Sequence, residues 1–299
     1  MLPLVHHPAY VAPLPEGHRF PMRKYARLMD LLRERGLATG RNSFTPEPAP
    51  RSWLELAHTP DYVLAVLEQR LSPEAERRLG LPVSPQVALR SRASCAGTVL
   101  AARLALEHGL ACSTAGGSHH AFAGFGSGFC VFNDVAVACR VLLEEGLVRR
   151  ILVVDLDVHQ GDGTAAIMEG EPRVTTLSLH CRTNFPARKQ QSDLDVALDP
   201  GTGDEAYLAV LEAVLPGLLE RVRPDLVFYD AGVDPHAEDR LGRLALSDAG
   251  LYERDRYAIA TCLAMSVPVA CVIGGGYTPC LDTLARRHGI LFETAAGLM

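Results

Sequence analysis

Lysine is almost missing from this chain. Of 29 basic residues among 299, only Lys24 and Lys189 are lysines, and the rest are arginine. That bias reads as genome composition or heat adaptation and carries no functional signal by itself. Basic residues are also outnumbered by 35 acidic ones, for a formal charge of −6. Such a chain lacks the basic surface that displaces counterions from phosphates, which argues against a nucleic-acid partner. The eight cysteines include no CxxC pair, which removes the usual zinc-ribbon and thioredoxin spacings and leaves buried free thiols in a reducing cytosol as the expectation. No stretch approaches the roughly 18 apolar residues of a membrane span. The first residues, "MLPLVHHPAY", lack the basic start of a signal peptide. A soluble, cytoplasmic protein without a membrane partner is expected.

What is present is an ordinary globular composition, 48% hydrophobic and 21% charged. With no internal repeat and no low-complexity tract, residues 1–299 read as a single catalytic domain. Residues 1 to about 83 are rich in proline and arginine. They hold an amphipathic helix near 22–35 and another from about 60, where Thr59 can cap and Pro60 opens the first turn. The "SFTPEPAPRS" stretch from Ser43 reads as a loop, and a long helix runs from Ser84 to a stop at Gly109, with small residues suited to close packing. Beyond it, apolar runs near 111–114, 150–156, 174–180, 225–231 and 268–273 alternate with helical patterns near 133–145, 163–169, 204–221, 247–265 and 278–288. That alternation predicts an α/β fold with a mostly parallel central sheet flanked by helices on both faces.

Sites in such folds lie outside the carboxyl ends of the strands. The unusual residues fall there: "AGGSHHAF", "DVHQGDGT", "HCRTNFP", "GVDPHAED" and "GGGYTP" each follow an apolar run. Carboxylates next to a buried strand are expensive unless a cation compensates them. Asp157 and His159 share a face if the backbone stays extended, and Asp234 is the best-placed third donor. Two carboxylates and an imidazole hold a divalent ion with open positions, as catalytic zinc needs. His119 and His120, with Asp155 and Asp162 as natural partners, suit general acid–base work near neutral pH. Tyr277 after three glycines can offer a phenol to a developing oxyanion, and Phe129 and Phe185 can line a slim apolar channel. The glycine run lacks phosphate-loop spacing, so no dinucleotide is expected.

The ordered motifs "GGSHHAF", "GFCVFND", "DLDVHQGDGT", "SLH", "DAGVD" and "GGGY" resemble those of the arginase/deacetylase superfamily, specifically the zinc-dependent histone deacetylases. The stretch with "DRLG" looks most like the class IV branch and its bacterial relatives. The resemblance implies that Asp157, His159 and Asp234 ligate zinc (Zn2+), with iron(II) as the other ion to consider. It makes His120, paired with Asp162, the base and then the acid. His119, paired with Asp155, helps electrostatically, and Tyr277 polarises the amide carbonyl. It places Phe129 and Phe185 beside the acyl-lysine, gives the Gly128 carbonyl to the substrate N–H, and implies a structural potassium ion (K+) near Asp155, Asp157, His159, Ser178 and Leu179.

Two departures stand out: Gln160 follows the ligand histidine where class I members usually carry a second histidine, and "PGTGD" arrives only at Pro200, after "ARKQQSDLDVALDP". The expected activity is removal of an acyl group, acetyl or longer, from lysine in a protein or peptide. A small acylated amine such as an acetylpolyamine is the alternative substrate, and a non-catalytic acyl-lysine binder is the rival from another class. An arginase-like site with two manganese ions needs further bridging carboxylates, and "DAGVD" offers Gly232 and Val233 there instead.

Overall fold

Ile151 to Val154 form an apolar run without polar alternation, and a strand of that kind has to be covered on both faces. In the computed structural model, which describes residues 1–299, that run lies in the middle of a sheet and every residue of it is buried. In chain order the strands are β1 (Leu4–Val5), β2 (Ser43–Phe44), β3 (Leu110–Ser113), β4 (Ile151–Asp155), β5 (Val174–Cys181), β6 (Leu194–Leu198), β7 (Leu226–Asp230) and β8 (Val269–Val272). The helices are α1 (Lys24–Glu34), α2 (Arg51–Leu54), α3 (Pro60–Leu67), α4 (Pro73–Leu79), α5 (Pro85–His108), α6 (Asp134–Glu144), α7 (Asp162–Met168), α8 (Asp204–Val222), α9 (Asp248–Ala264) and α10 (Leu281–Gly297).

The strands form one sheet in the order β2-β1-β3-β8-β7-β4-β5-β6, and every neighbouring pair is parallel. From β4 the chain steps outward to β5 and β6, then returns to lay β7 on the other flank of β4 and β8 beyond it. The direction reverses at the β4/β7 boundary, where Asp155 lies opposite Asp230 in register. This is the crevice in which α/β sheets bind ligands.

Helix α5 packs on β3, β8 and α6, while α1, α10, α9 and α8 pack against one another in series. The small residues of α5 allow close approach: a Cβ on Gly97 would fall 2.0 Å from the Tyr10 hydroxyl. Caps sit where serine, asparagine and proline mark them. The side chains of Ser84, Asn133 and Ser247 each accept a hydrogen bond from the third backbone N–H beyond them.

Strands β1 and β2 are two residues each, too short to show a periodicity, and β2 occupies the start of the stretch expected to be loop. Strand β6 is an edge strand built from the "ARKQQSDLDVALDP" departure, half-exposed apart from Leu198. Helix α4 was hidden in "SPEAERRLG", although Ser72 caps it and Gly80 ends it in the left-handed conformation. Helix α10 continues past residue 288 to Gly297 because no glycine–proline stop intervenes and its apolar face stays buried. All cysteines are free, and seven are buried as expected, but Cys280 is exposed at the start of α10.

Candidate active site

The backbone beyond β4 turns so that Asp157 Oδ1 accepts the His159 N–H at 2.9 Å and lies 3.0 Å from His159 Nδ1. Asp157 Oδ2 accepts the Gly275 N–H at 2.6 Å, joining the end of β4 to the loop after β8. From the loop after β7, Asp234 Oδ1 accepts the Val158 N–H at 2.9 Å. Its Oδ2 lies 3.1 Å from His159 Nδ1 and accepts no hydrogen bond. One donor atom from each of Asp157, His159 and Asp234 falls within 4.8 Å of the others, and all three residues are buried.

Glycine makes this approach feasible. A Cβ on Gly275 would lie 1.9 Å from Asp234 Oδ2 and 2.6 Å from Asp157 Oδ2, and one on Gly232 would lie 2.3 Å from Asp157 Oδ2. Burial opposes charging His159, but the carboxylates of Asp157 and Asp234 outweigh it and hold the imidazole up at about 10. Burial and the Asp157 charge push Asp234 up to about 7. The cluster therefore draws a positive charge to its centre. With one nitrogen, two carboxylates, an orphaned buried oxygen and no room for a further side chain, it fits a divalent cation.

The two histidines come from the loop after β3. Their turn is pinned from α6: Asp134 Oδ1 accepts the Ser118 N–H at 2.7 Å, and Oδ2 accepts the Gly117 N–H at 3.3 Å. Asn133 uses its other end on the same loop, donating from Nδ2 to the His119 and Ala121 carbonyls and to Thr164 Oγ1. His119 Nδ1 pairs with Asp155 Oδ2 at 2.7 Å and His120 Nδ1 with Asp162 Oδ1 at 2.6 Å. Both pairs are buried. Burial works against a charged His119, but Asp155 and Asp157 overcome it and hold the imidazole well above its ordinary value. Burial and the charge of His119 push His120 down to about 4 in spite of Asp162. The two Nε2 atoms lie 3.2 Å apart, close enough that a charge on His119 disfavours a second one on His120.

Above these groups lies a pocket of about 270 Å³, lined in part by His120, Gly128, Phe129, His159, Phe185 and Tyr277. Phe185 is 45% exposed and sets its ring edge-on to His120, with centroids 4.8 Å apart. Phe129 is buried and takes a left-handed backbone (φ 68°), held by its N–H donating to the Leu79 carbonyl at 2.7 Å. A Cβ on Gly128 would lie 2.5 Å from His120 Cδ2. The Gly128 carbonyl is 3.4 Å from the Cys130 thiol. The Tyr277 ring lies 6.0 Å from Phe129 and 6.3 Å from His159. Burial and the nearby carboxylates raise its phenol well above the ordinary range, so it keeps its proton.

All the residues singled out in the sequence thus converge at one crevice. Others in contact with them lie in the quoted stretches but had no role assigned from the sequence. Asp239, in "DRLG", accepts the Tyr277 N–H at 2.6 Å and those of Leu241 and Gly242 at 2.9 and 3.1 Å. Asn184 Nδ2 is 3.3 Å from His159 Nε2 and donates to the Leu241 carbonyl at 2.6 Å. Asp230 is buried with both oxygens unpartnered, 4.0 Å from His119 Nδ1. A second buried group, His119, Asp155 and Asp230, also brings its donor atoms within 4.8 Å of one another, but it includes the His119–Asp155 pair described above.

A family model for the histone deacetylase domain matches residues 18–293. The chain belongs to the histone deacetylase family. It is 55% identical over 293 residues to an uncharacterized protein of Picosynechococcus sp., covering 98% of each chain. It is 30% identical over 254 residues to a probable deacetylase of Archaeoglobus fulgidus, covering 79% of this chain and 70% of that one. Among solved structures, an HDAC homolog from Aquifex aeolicus superposes with a TM-score of 0.83 at 26% identity, covering 99% of this chain and 84% of that one. An HDAC homolog complexed with SAHA superposes with the same score, identity and coverage. The fold is therefore that of a histone deacetylase.

Within that frame both departures have a structural role. Gln160 is buried, with its Nε2 2.7 Å from both the Gln190 carbonyl and Asp195 Oδ1, while its Oε1 accepts the Gln190 N–H at 2.9 Å. It ties the segment that leads into β6 to the residue next to His159. Ser178, named for the potassium cage, is the ladder partner of Asp155, and its Oγ lies 3.0 Å from His180 Nδ1.

Proposed function

We propose that this family member is a metal-dependent deacylase that hydrolyses an acyl group from the side-chain amine of lysine. The observation carrying the proposal is the union of two constellations at one strand-end crevice: the Asp157–His159–Asp234 cluster and the His119/His120 pair, each histidine backed by its own carboxylate. A binding module has no use for a proton shuttle beside a cation site.

Zinc, or iron(II) from the same donor set, would be held by Asp157, His159 and Asp234, and would polarise the amide carbonyl and lower the pKa of a water. Potassium beside Asp155 and Ser178 belongs to the same reading. Neutral His120 takes the proton from the attacking water at Nε2, while Asp162 accepts from Nδ1–H and steadies the imidazolium. The Tyr277 phenol, with its proton retained, donates a hydrogen bond to the oxygen that gains charge. Charged His119 adds a positive field at the same point. His120 then returns its proton to the departing amine, which would otherwise be too basic to leave. The Phe129 and Phe185 rings hold the alkyl stem of the substrate, and the Gly128 carbonyl accepts its amide N–H.

The test is a panel of lysine peptides acylated with acetyl through long chains, assayed with the zinc-loaded full-length protein. The proposal predicts turnover of at least one acyl-lysine. Turnover of acetylpolyamines with none of any acyl-lysine would replace it with the small-amide alternative.

A further inference from the structure

The catalytic crevice is acidic at its floor, yet its mouth is basic. Arg19, from the proline-rich segment before α1, Arg78, from α4, and Arg243, from the loop after "DRLG", all line the outer part of the pocket, and none of its fourteen lining residues is a carboxylate. All three arginines are exposed and none forms an ion pair within 4.0 Å. Several carboxylates of the adjoining segments have other partners. Glu238 pairs with Arg287, Asp199 pairs with Arg182 at 3.0 Å, and Asp239 accepts three backbone N–H groups. Two of the guanidiniums are seated on aromatic faces, Arg19 4.9 Å from the Phe129 ring centroid and Arg78 4.7 Å from that of Phe125. Phe129 is itself a wall of the pocket, so Arg19 stands beside the pocket lining.

A chain with a net charge of −6 that brings three unpaired arginines from three separate segments to one opening concentrates positive potential where substrate enters. Guanidinium groups favour carboxylates, which they can bind in a fork, and repel ammonium groups. We infer that the substrate carries a carboxylate at the opposite end of its alkyl stem from the acylated amine, and that Arg19, Arg78 and Arg243 select it at the mouth. The carboxylate can come from acidic residues flanking an acyl-lysine in a protein or from the free α-carboxylate of an acylated lysine. A polyamine would instead set its remaining ammonium groups against the arginines. The inference rests on the deacylase reading above and narrows its substrate class.

The experiment compares kcat/KM of the zinc-loaded full-length protein on matched peptides with acetyl-lysine flanked by glutamate, glutamine or lysine, on free Nε-acetyl-lysine, and on a monoacetylated polyamine. The expected order is glutamate above glutamine above lysine, with a span on the order of tenfold, since each exposed contact is worth up to a few-fold. The span should shrink in about 1 M salt, where screening reaches a few ångströms, and in the Arg19→Gln/Arg78→Gln/Arg243→Gln triple variant. Free acetyl-lysine outrunning the glutamate peptide would identify a small amino-acid substrate, and the reverse an acidic protein segment; both support the inference. Equal or better turnover of the lysine-flanked peptide or the polyamine overturns it while leaving deacylation standing. If none of the five is hydrolysed, the same set is repeated with longer acyl groups, and failure at every acyl length overturns the deacylase reading and this inference with it. If the triple variant fails to fold, the salt dependence of the unmutated protein decides the matter.

Discussion

Tyr277 lines the pocket with its side chain and is held there through its backbone, whose N–H donates to Asp239. The two contacts separate in mutants. Tyr277→Phe removes only the phenol, so it should keep the bound metal and lose about 10²–10³ in kcat, as checked by metal analysis alongside steady-state kinetics. Asp239→Ala leaves the phenol but frees its loop, and should lower kcat by about tenfold or more with metal retained. Gly275→Ala acts on the metal instead. Its new Cβ would fall 1.9 Å from Asp234 Oδ2, so zinc affinity measured by competition with a chromophoric chelator should fall sharply. Retained affinity would show that Asp234 Oδ2 is not a ligand atom. At this scale the sequence was informative where side-chain chemistry is unusual for a strand end, as with Asp157, His159, His119 and His120. It marked the stretches holding Asp239, Asn184 and Asp230 but not their roles, because nothing local distinguishes a polar side chain that pins a distant loop from one that faces water.

Among the elements, the start of α6 does more than begin a helix. Asn133 caps it through Oδ1 at 2.9 Å from the Ala136 N–H, while Nδ2 holds the loop carrying His119. Asn133→Ala therefore loses the cap and orphans buried carbonyls. A destabilisation of about 2–4 kcal/mol is expected, read as a lower urea midpoint, together with reduced turnover because the histidine loop loosens. Either Asn133 or Asp134 of "FND" is a residue type that can cap a helix, but the second function of Asn133 depends on which loop the fold brings beside it. The long core strands and their helices were similarly legible from uninterrupted apolar runs and capping residues. The short outer strands β1 and β2 were not, because two residues show no period, and β6 was masked because its exposed edge carries aspartates that read as loop.

For the molecule as a whole, pH links the folded core to histidine. His58 is buried between the Phe122 carbonyl, 3.0 Å from Nδ1, and the Asn133 N–H, which donates to Nε2 at 2.9 Å. Burial pushes it down to about 4. An unfolded chain protonates the same ring near 6.5, so between these values the unfolded state binds more protons and stability must fall as pH drops. The contribution is complete above pH 6.5, about 2 kcal/mol weaker by pH 5 and exhausted near pH 4. His6 and His180, also lowered to about 4 mainly by burial, act with the same sign. Urea midpoints measured from pH 7 to pH 5 should therefore decline, and His58→Gln should flatten the slope. A slope unchanged by that substitution would remove His58 from the account.

The dependence of amide hydrolysis on a cation held by Asp157, His159 and Asp234 underlies the proposed function. Its most direct test titrates zinc into metal-stripped protein while following bound metal and acyl-lysine hydrolysis in the same samples, for the natural chain and for Asp234→Ala. That dependence predicts that activity rises in step with about one tightly bound equivalent and that both are lost in the variant. Full hydrolysis by stripped protein, or an active variant that no longer binds zinc, would contradict it.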